Sequence, residues 1–379
     1  MSEAVSRQPR FAGDSTRKER TLDMLIFDCH LDLSLNAIQY NRDLRLSVDE
    51  MRHLESGMTD LWGRERGTVT FAEMRKAEIG ICVATLLAGC MKPAGVGGGW
   101  NSPQQAWAMT QAQLAWYEAM QDDGQLRMIR DAEMLDRHLD QWNQDPDATP
   151  IGFILSLEGA DSFRDLSDLH RAHARGLRAV GPAHYGVGRY ALGHDRQGPL
   201  SAKGGELLHE MDELGMILDV THLCEETFWD ALKRFEGPVW ASHHNCRALV
   251  DDPRQLSDDQ IVALAERDAV IGVAFDVWMV VPDWERGVTN HENRSGCDMA
   301  KLANHIDHMS QLLGTTKHIG IGTDLDGGFG TEQTPSDVDT ISDVRKLIEI
   351  LRQRGYSEDD LKGICHGNFL RIVRESLKD

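Results

Sequence analysis

Short apolar runs that end in a histidine or a carboxylate recur along this chain and limit the folds open to it. Most runs are continuous rather than alternating, as expected of parallel strands buried on both faces. The strand candidates cover roughly residues 24–28, 80–87, 151–157, 177–183, 215–221, 237–242, 269–275 and 318–323. The carboxyl ends of the strands in a closed parallel barrel all point to one mouth, so polar residues far apart in sequence would meet there.

Stretches with apolar residues at helical spacing lie between the runs. They cover residues 103–120, 199–215, 257–267, 299–313 and 336–354. Strand and helix alternate about eight times, which predicts a (β/α)8 TIM-like barrel. An open doubly wound sheet is less suitable, because its site would draw on only a few strands at one switch point.

The predicted domain organisation is one barrel domain over residues 21–379, preceded by a polar, poorly ordered arm over residues 1–20. Three long, turn-rich segments follow strand ends, at 92–103, 185–199 and 282–296. We call them the rim segments, because connections after barrel strands rise around the catalytic mouth.

Charge and composition exclude several classes of partner. The 379 residues include 40 Lys and Arg against 61 Asp and Glu, a net charge of −21, which would repel nucleic acid and anionic lipid. No apolar run approaches the roughly 18 residues of a membrane span, and no secretion signal is evident, so we expect a cytoplasmic protein without a membrane partner. The seven cysteines include no C-x-x-C pair and are expected to be reduced, buried thiols.

The polar residues at the strand ends are of types that bind metals or move protons. They are His30, Asp32, Glu158, His184, His222, His243 and Asp324. Imidazole and carboxylate together suit zinc or a similar divalent ion, and a glutamate can bridge two ions. Two cations about 3.5–4 Å apart can activate a shared water and polarise the bond that it attacks.

Two of these positions have rivals in the sequence. His244 follows His243, and only one of two adjacent strand residues can face the barrel interior. His243 is favoured because it follows its apolar run at the same offset as His222. Asp326 shares the facing of Asp324, which is favoured because it is nearer the strand end.

Seven separated segments resemble those of a known family. They read IFDCHLDL, LSLEG, GPAHYG, GELLHEMDELGMILDVTH, PVWASHHNCRAL, DDPRQLSDDQ and IGIGTDLDGG. Together, from about residue 24 to the end, they resemble the membrane (renal) dipeptidases, the M19 metallopeptidases of the amidohydrolase barrel superfamily.

The resemblance implies a role for each candidate residue. His30 and Asp32 would hold one Zn²⁺, His222 and His243 a second, and Glu158 would bridge the two ions. Asp324 would transfer a proton, His184 would contact the substrate, and Arg254 would bind the terminal carboxylate of a dipeptide. Members of the family hydrolyse dipeptides, are expected to act through a metal-bridging hydroxide, commonly tolerate a D-residue at the carboxyl side, and are often homodimers.

The chain departs from the family pattern beside the ligands. Cys29 and Leu31 flank His30 where glycine and asparagine are usual, and His244 and Asn245 replace a serine pair. No predicted ligand is lost, so the expected activity is that of a zinc dipeptidase. Altered walls leave open a metal-dependent amidohydrolase of another small amide, lactam or ester. A non-catalytic metal-stabilised binding protein would leave Asp324 and His184 without a role.

Overall fold

The computed structural model describes residues 25–90, 98–292 and 294–377. Its nine strands are all paired in parallel. They are β1 (Ile26–Leu31), β2 (Ile79–Leu87), β3 (Leu126–Met128), β4 (Ile151–Glu158), β5 (Leu177–Gly181), β6 (Ile217–Asp219), β7 (Val239–Ala241), β8 (Val270–Val273) and β9 (Ile319–Ile321). Eight of them close a barrel in the order β1-β2-β4-β5-β6-β7-β8-β9, and β9 pairs again with β1. The predicted (β/α)8 barrel is confirmed.

All eight predicted strand regions form barrel strands, whereas β3 was not predicted. It pairs in parallel with the first residues of β4, from Leu126 opposite Ile151 to Met128 opposite Phe153. The strand is an addition to the barrel ring, because β4 also pairs with β2 and β5.

Helices surround the barrel. They are α1 (Leu33–Ile38), α2 (Val48–Leu54), α3 (Phe71–Lys76), α4 (Pro103–Asp122), α5 (Ala132–Gln144), α6 (Leu166–Ala174), α7 (Ala202–Glu213), α8 (Glu225–Arg234), α9 (Asp258–Glu266), α10 (Met299–Leu313), α11 (Val344–Gln353), α12 (Glu358–Lys362) and α13 (Asn368–Ser376). The predicted helix at 336–354 is shorter than expected. Thr340 and Asp343 form a capping box around a 3₁₀ turn at Ile341–Asp343, so α11 begins only at Val344.

The barrel strands are buried along almost their whole length, as the continuous apolar runs predicted. Two glycines let neighbouring strand ends approach closely. A Cβ added at Gly272 would lie 2.1 Å from the carbonyl oxygen of Ser242, the residue after β7. A Cβ added at Gly322 would lie 1.8 Å from the same oxygen. All seven cysteines are free and buried, as predicted.

The predicted arm at 1–20 and most of the first rim segment, residues 92–97, lie outside the described residues. In the parts of the chain that the structure describes, no helix combines the length and the apolar character needed to cross a bilayer.

Candidate metal centre and substrate cavity

The strand ends bring the predicted polar residues together at the carboxyl mouth of the barrel. His30 lies within β1, Asp32 precedes α1, and Glu158 ends β4. His184, His222, His243 and Asp324 lie two or three residues beyond β5, β6, β7 and β9. Because the strands are parallel, these residues share one end of the barrel despite their separation in sequence.

Glu158 lies at the centre of the group. One of its oxygens, Oε1, is 3.0 Å from His222 Nε2 and 3.6 Å from His243 Nε2. The other, Oε2, is 3.6 Å from His30 Nε2. One carboxylate therefore has one oxygen toward the β6 and β7 histidines and the other toward the β1 histidine, which is the arrangement that a bridging ligand requires.

His30 is surrounded by carboxylates. Its Nε2 lies 3.8 Å from Asp32 Oδ2 and 3.7 Å from Asp324 Oδ1, and neither ring nitrogen has a hydrogen-bond partner among the described residues. Burial disfavours its protonation, but Glu158, Asp32 and Asp324 outweigh burial and raise the His30 pKa to about 10. The surroundings of this imidazole therefore favour a positive charge.

The two histidines that follow β6 and β7, His222 and His243, favour the uncharged form instead. Their Nε2 atoms are 3.2 Å apart, and burial together with nearby cationic groups holds the pKa of His222 and His243 well below its usual value. Both rings are therefore neutral, the form in which imidazole binds metals. His243 Nδ1 lies 2.9 Å from the Ser242 hydroxyl, which fixes the ring.

The two rival residues point elsewhere. His244 packs against Arg254, whose Nη1 is 3.2 Å from His244 Nδ1. Asp326 accepts hydrogen bonds from the backbone N–H groups of Thr68 and Val69 and faces Arg42. The geometry therefore brings His243 and Asp324, rather than these neighbours, to Glu158 and His30.

Asp324 has an unusual backbone and a perturbed acidity. Its φ of 59° is left-handed, as is the φ of 68° at His222, and such values in non-glycine residues are often found at functional sites. The backbone N–H of Asp324 donates to the carbonyl of His30 at 3.3 Å. Burial raises the pKa of Asp324 well above its usual value, and the nearby Asp32 and Glu158 add to this effect, whereas His30 opposes it. A buried carboxyl group with a raised pKa is of the type that can hold and transfer a proton.

His184 lies beside the group on the β5 side. Its ring centroid is 4.6 Å from that of His222, and one of its nitrogens lies within 4.8 Å of ligand atoms of Glu158 and His222. Gly159 makes this approach possible, because its φ is 75° and an added Cβ would lie 3.3 Å from His184 Cβ.

Arg254 is buried, with 1% of its surface exposed, and contributes to the wall of the same cavity. Its Nη2 donates to the carbonyl of His243 at 2.9 Å. No carboxylate of the described chain lies within ion-pair distance of it, which is unusual for a buried guanidinium. The cavity has a volume of about 460 Å³ and is lined also by the apolar Leu35, Leu87 and Met279.

Two supporting carboxylates were missed from the sequence. Asp28 Oδ1 accepts from the backbone N–H of His30 and of Thr323, the residue before Asp324. Asp219 Oδ1 accepts from the N–H groups of Thr221 and Ser242, the residues before His222 and His243. Each carboxylate thus joins two strand ends at the points where predicted ligands begin. The available signal was an aspartate two or three residues before a histidine, in DCH and DVTH.

The rim segments supply a second group of cavity residues. Tyr185 from the second segment and Arg286 from the third line the cavity together with Asp276. His194, also from the second segment, packs its ring 4.6 Å from that of Tyr185. Sequence patterns gave no reason to single out Tyr185 or Arg286, because neither ends an apolar run. Asp276 does follow the apolar run at 269–275 but was not among the predicted site residues.

Comparison with known proteins identifies the family. The model of the membrane dipeptidases, peptidase family M19, matches residues 17–378. The chain belongs to this family of metallo-dipeptidases. The resemblance seen in the sequence is confirmed.

Curated relatives and solved structures are also similar to this chain. The chain is 28% identical over 233 residues to an uncharacterised protein from the pqqA 5′ region of Klebsiella pneumoniae, covering 59% of this chain and 82% of that protein. It is 30% identical over 228 residues to the dipeptidase aclJ of Aspergillus oryzae, a match that covers 59% of this chain but only 51% of the fungal protein.

Among solved structures, an M19 metallopeptidase described as dipeptidase AC superposes with a TM-score of 0.73 at 22% identity, covering 94% of this chain and 99% of that chain. A Rhodobacter sphaeroides metallopeptidase, solved with a phosphinate mimic of L-Ala-D-Ala, gives 0.74 at 21% identity, covering 93% and 99%. These likenesses establish the shared fold.

Proposed function

We propose that this protein is a binuclear zinc dipeptidase. The observation that carries the proposal is the position of Glu158, whose two oxygens face His30 on one side and His222 with His243 on the other. Family membership supports metal dependence and a dipeptide substrate. The count of two ions, and zinc as the metal, rest on the ligand set and its arrangement.

The residues present fit such a pair of ions. His30 and Asp32 would hold one ion and His222 and His243 the other, with Glu158 shared. Three carboxylates, those of Asp32, Glu158 and Asp324, surround His30, whose ring nitrogens have no hydrogen-bond partner in the described chain. Buried anions in this number require compensating cations. When bound, two divalent ions would activate water and polarise the scissile carbonyl.

The other cavity residues would bind the dipeptide and move its protons. Arg254 would receive the terminal carboxylate, since a guanidinium binds a carboxylate through two parallel hydrogen bonds. Asp324 would take a proton during attack and deliver it to the departing amine. His184, beside His222, would donate a hydrogen bond to the reacting carbonyl.

Tolerance of a D-residue at the carboxyl side is part of the proposal. The structural neighbour from Rhodobacter sphaeroides, solved with a mimic of L-Ala-D-Ala, supports it. The homodimer and the cytoplasmic location stay predictions, which light scattering on the purified protein and fractionation of cells would test.

The experiment compares kcat/KM for L-Ala-D-Ala, its C-terminal amide and a tripeptide, using zinc-loaded wild type and Arg254→Lys. We expect cleavage of the free dipeptide and poor cleavage of the other two. The amide would leave a buried arginine unpaired, and the tripeptide would move the carboxylate past it. Lysine should weaken kcat/KM because a point charge does not reproduce the guanidinium fork.

Failure to hydrolyse any free dipeptide with zinc bound would overturn the proposed function. Equal rates on the free and amidated dipeptides would remove Arg254 from the substrate site and favour an amidohydrolase with a broader range of substrates.

A further inference from the structure

A second arginine lines the substrate cavity. Arg286 belongs to the third rim segment and reaches the cavity beside Asp276 and Tyr185. Its side chain remains 44% exposed, whereas Arg254 is almost completely buried. The cavity therefore contains two guanidinium groups, and the terminal carboxylate of a dipeptide requires only one.

Arg286 is held in a fixed orientation. Its Nη2 donates to Asp276 Oδ2 at 2.6 Å, its Nη1 donates to the Tyr185 hydroxyl at 3.3 Å, and its guanidinium carbon lies 5.1 Å from the centroid of the Trp278 ring. These contacts use two of the five N–H donors of the guanidinium. The other three have no partner among the described residues and are available to a ligand.

Asp276 does not offer the opposite charge to a ligand. It is 1% exposed, and both of its oxygens are occupied. Oδ1 accepts from Gln333 Nε2 at 2.8 Å, and Oδ2 accepts from Trp278 Nε1 at 2.6 Å as well as from Arg286. The accessible hydrogen-bonding group of this ion pair is therefore the guanidinium.

Both arginines line the same cavity. Tyr185 lines it with them, and its hydroxyl accepts from Arg286. A substrate residue that places its main-chain carboxylate on Arg254 would thus lie in the cavity that Arg286 also faces.

We propose that Arg286 determines specificity by binding a side-chain carboxylate, so that dipeptides with Asp or Glu at the C-terminal position are the preferred substrate class. The inference rests on the proposed dipeptidase function. A purely structural role for Arg286, joining the second and third rim segments through Tyr185, would use only the donors already occupied and would not distinguish one dipeptide from another.

The experiment uses a pair of peptides that differ in charge but hardly in shape. The ratio of kcat/KM for Ala-Glu to that for Ala-Gln is measured with the zinc-loaded protein, with the second residue in the L and in the D configuration. Ala-Lys serves as the peptide of opposite charge. We expect a Glu-to-Gln ratio of about tenfold or more in the wild type, because the extra carboxylate gains charge-assisted hydrogen bonds, with Ala-Lys the poorest of the three.

The variants are chosen to separate binding from stability. Arg286→Gln should bring the ratio close to one, and Arg286→Lys should keep part of it. Since Arg286→Gln leaves Asp276 buried without its cation, the double variant Asp276→Asn/Arg286→Gln removes both charges and should give the same flat ratio. Arg294→Gln is the matched control, because Arg294 lies in the same rim segment but does not line the cavity, and it should keep the wild-type ratio.

A wild-type ratio near one, or a high ratio that survives in both Arg286→Gln and the double variant, would overturn the inference. In either case cleavage of the neutral peptides would leave the dipeptidase proposal standing. The absence of cleavage of every peptide in the set would instead count against the proposed function itself.

Discussion

Glu158 is the residue on which the proposed metal centre depends most, because it faces ligands of both sites. Replacing it with glutamine keeps the shape but removes the charge that two cations would share. We expect Glu158→Gln to lower the occupancy of both ions together, to well below two per chain. Metal analysis of the purified variant checks this, and loss of one ion alone would show that Glu158 serves a single site. Thermal unfolding of the chelated proteins controls for misfolding.

Asp324 and Asp326 are expected to respond differently to the same substitution. Asp324→Asn removes a titratable proton beside His30, so kcat should fall by roughly 10²–10⁴ while metal content stays near that of the wild type. Asp326→Asn weakens the hydrogen bonds from Thr68 and Val69, so it should destabilise the fold by about 1–3 kcal/mol. Parallel measurements of kcat, bound metal and unfolding distinguish the two. A near-wild-type kcat in Asp324→Asn would show that a group other than Asp324 transfers the proton.

The residues that could be found from the sequence are those that end an apolar run, as His30, Glu158 and His222 do. The choice of His243 over His244 followed from its offset after the apolar run, which matches that of His222. In the structure His243, not His244, lies near Glu158. Arg254 emerged only through the family resemblance, because it lies 13 residues beyond β7, which ends at Ala241. Asp28 and Asp219 act through backbone N–H groups on neighbouring strands, and sequence spacing does not show which strands are neighbours.

At the level of elements, neighbouring strand ends are joined in pairs by buried carboxylates. Asp219 links the end of β6 to that of β7, and Asp28 links the end of β1 to that of β9. Asp219→Ala should lower zinc affinity by about 10–100-fold, since the histidine-bearing segments lose their common acceptor.

Asp219→Asn is the conservative counterpart, because its amide oxygen can still accept both N–H bonds, and it should recover most of the affinity. Competition with a chromophoric chelator measures both variants. Unchanged affinity in Asp219→Ala would mean that the strand ends hold the histidines without this residue.

Element boundaries were less predictable than element types. Strand β3 (Leu126–Met128) was missed because Arg127 interrupts its apolar residues, whereas the equally short β6, β7 and β9 lie within continuous apolar runs. The start of α11 was placed too early because the polar residues around Thr340 favour a cap and a turn, although their spacing resembles that of a helix.

The stability of the whole molecule should depend on pH through a buried histidine that is not among the predicted metal ligands. His305 on α10 is fully buried, accepts from the Cys246 N–H at Nδ1 and contacts the Val280 carbonyl at Nε2. Burial lowers its pKa from 6.5 to about 4. The unfolded chain therefore binds a proton below about pH 6.5 that the folded chain excludes until about pH 4, so folding stability is lost as the pH falls through this range.

Urea unfolding of chelated protein tests this expectation. Between about pH 7.5 and about pH 5 the wild type should lose about 2 kcal/mol more than His305→Gln, which cannot titrate. Equal losses of unfolding free energy in the two proteins would show that folding does not lower the pKa of His305.

Residues at the strand ends and residues on the rim segments differ in how freely they can change. The predicted ligands are fixed by barrel strands that pair on both sides, whereas Tyr185, His194 and Arg286 are carried by surface connections. Loops accept substitutions and insertions that strands do not. New substrate preferences can therefore evolve within two short stretches, 185–199 and 282–296, while the ligand residues remain unchanged. Mutant libraries confined to these stretches should yield altered specificity far more often than inactive, unfolded protein.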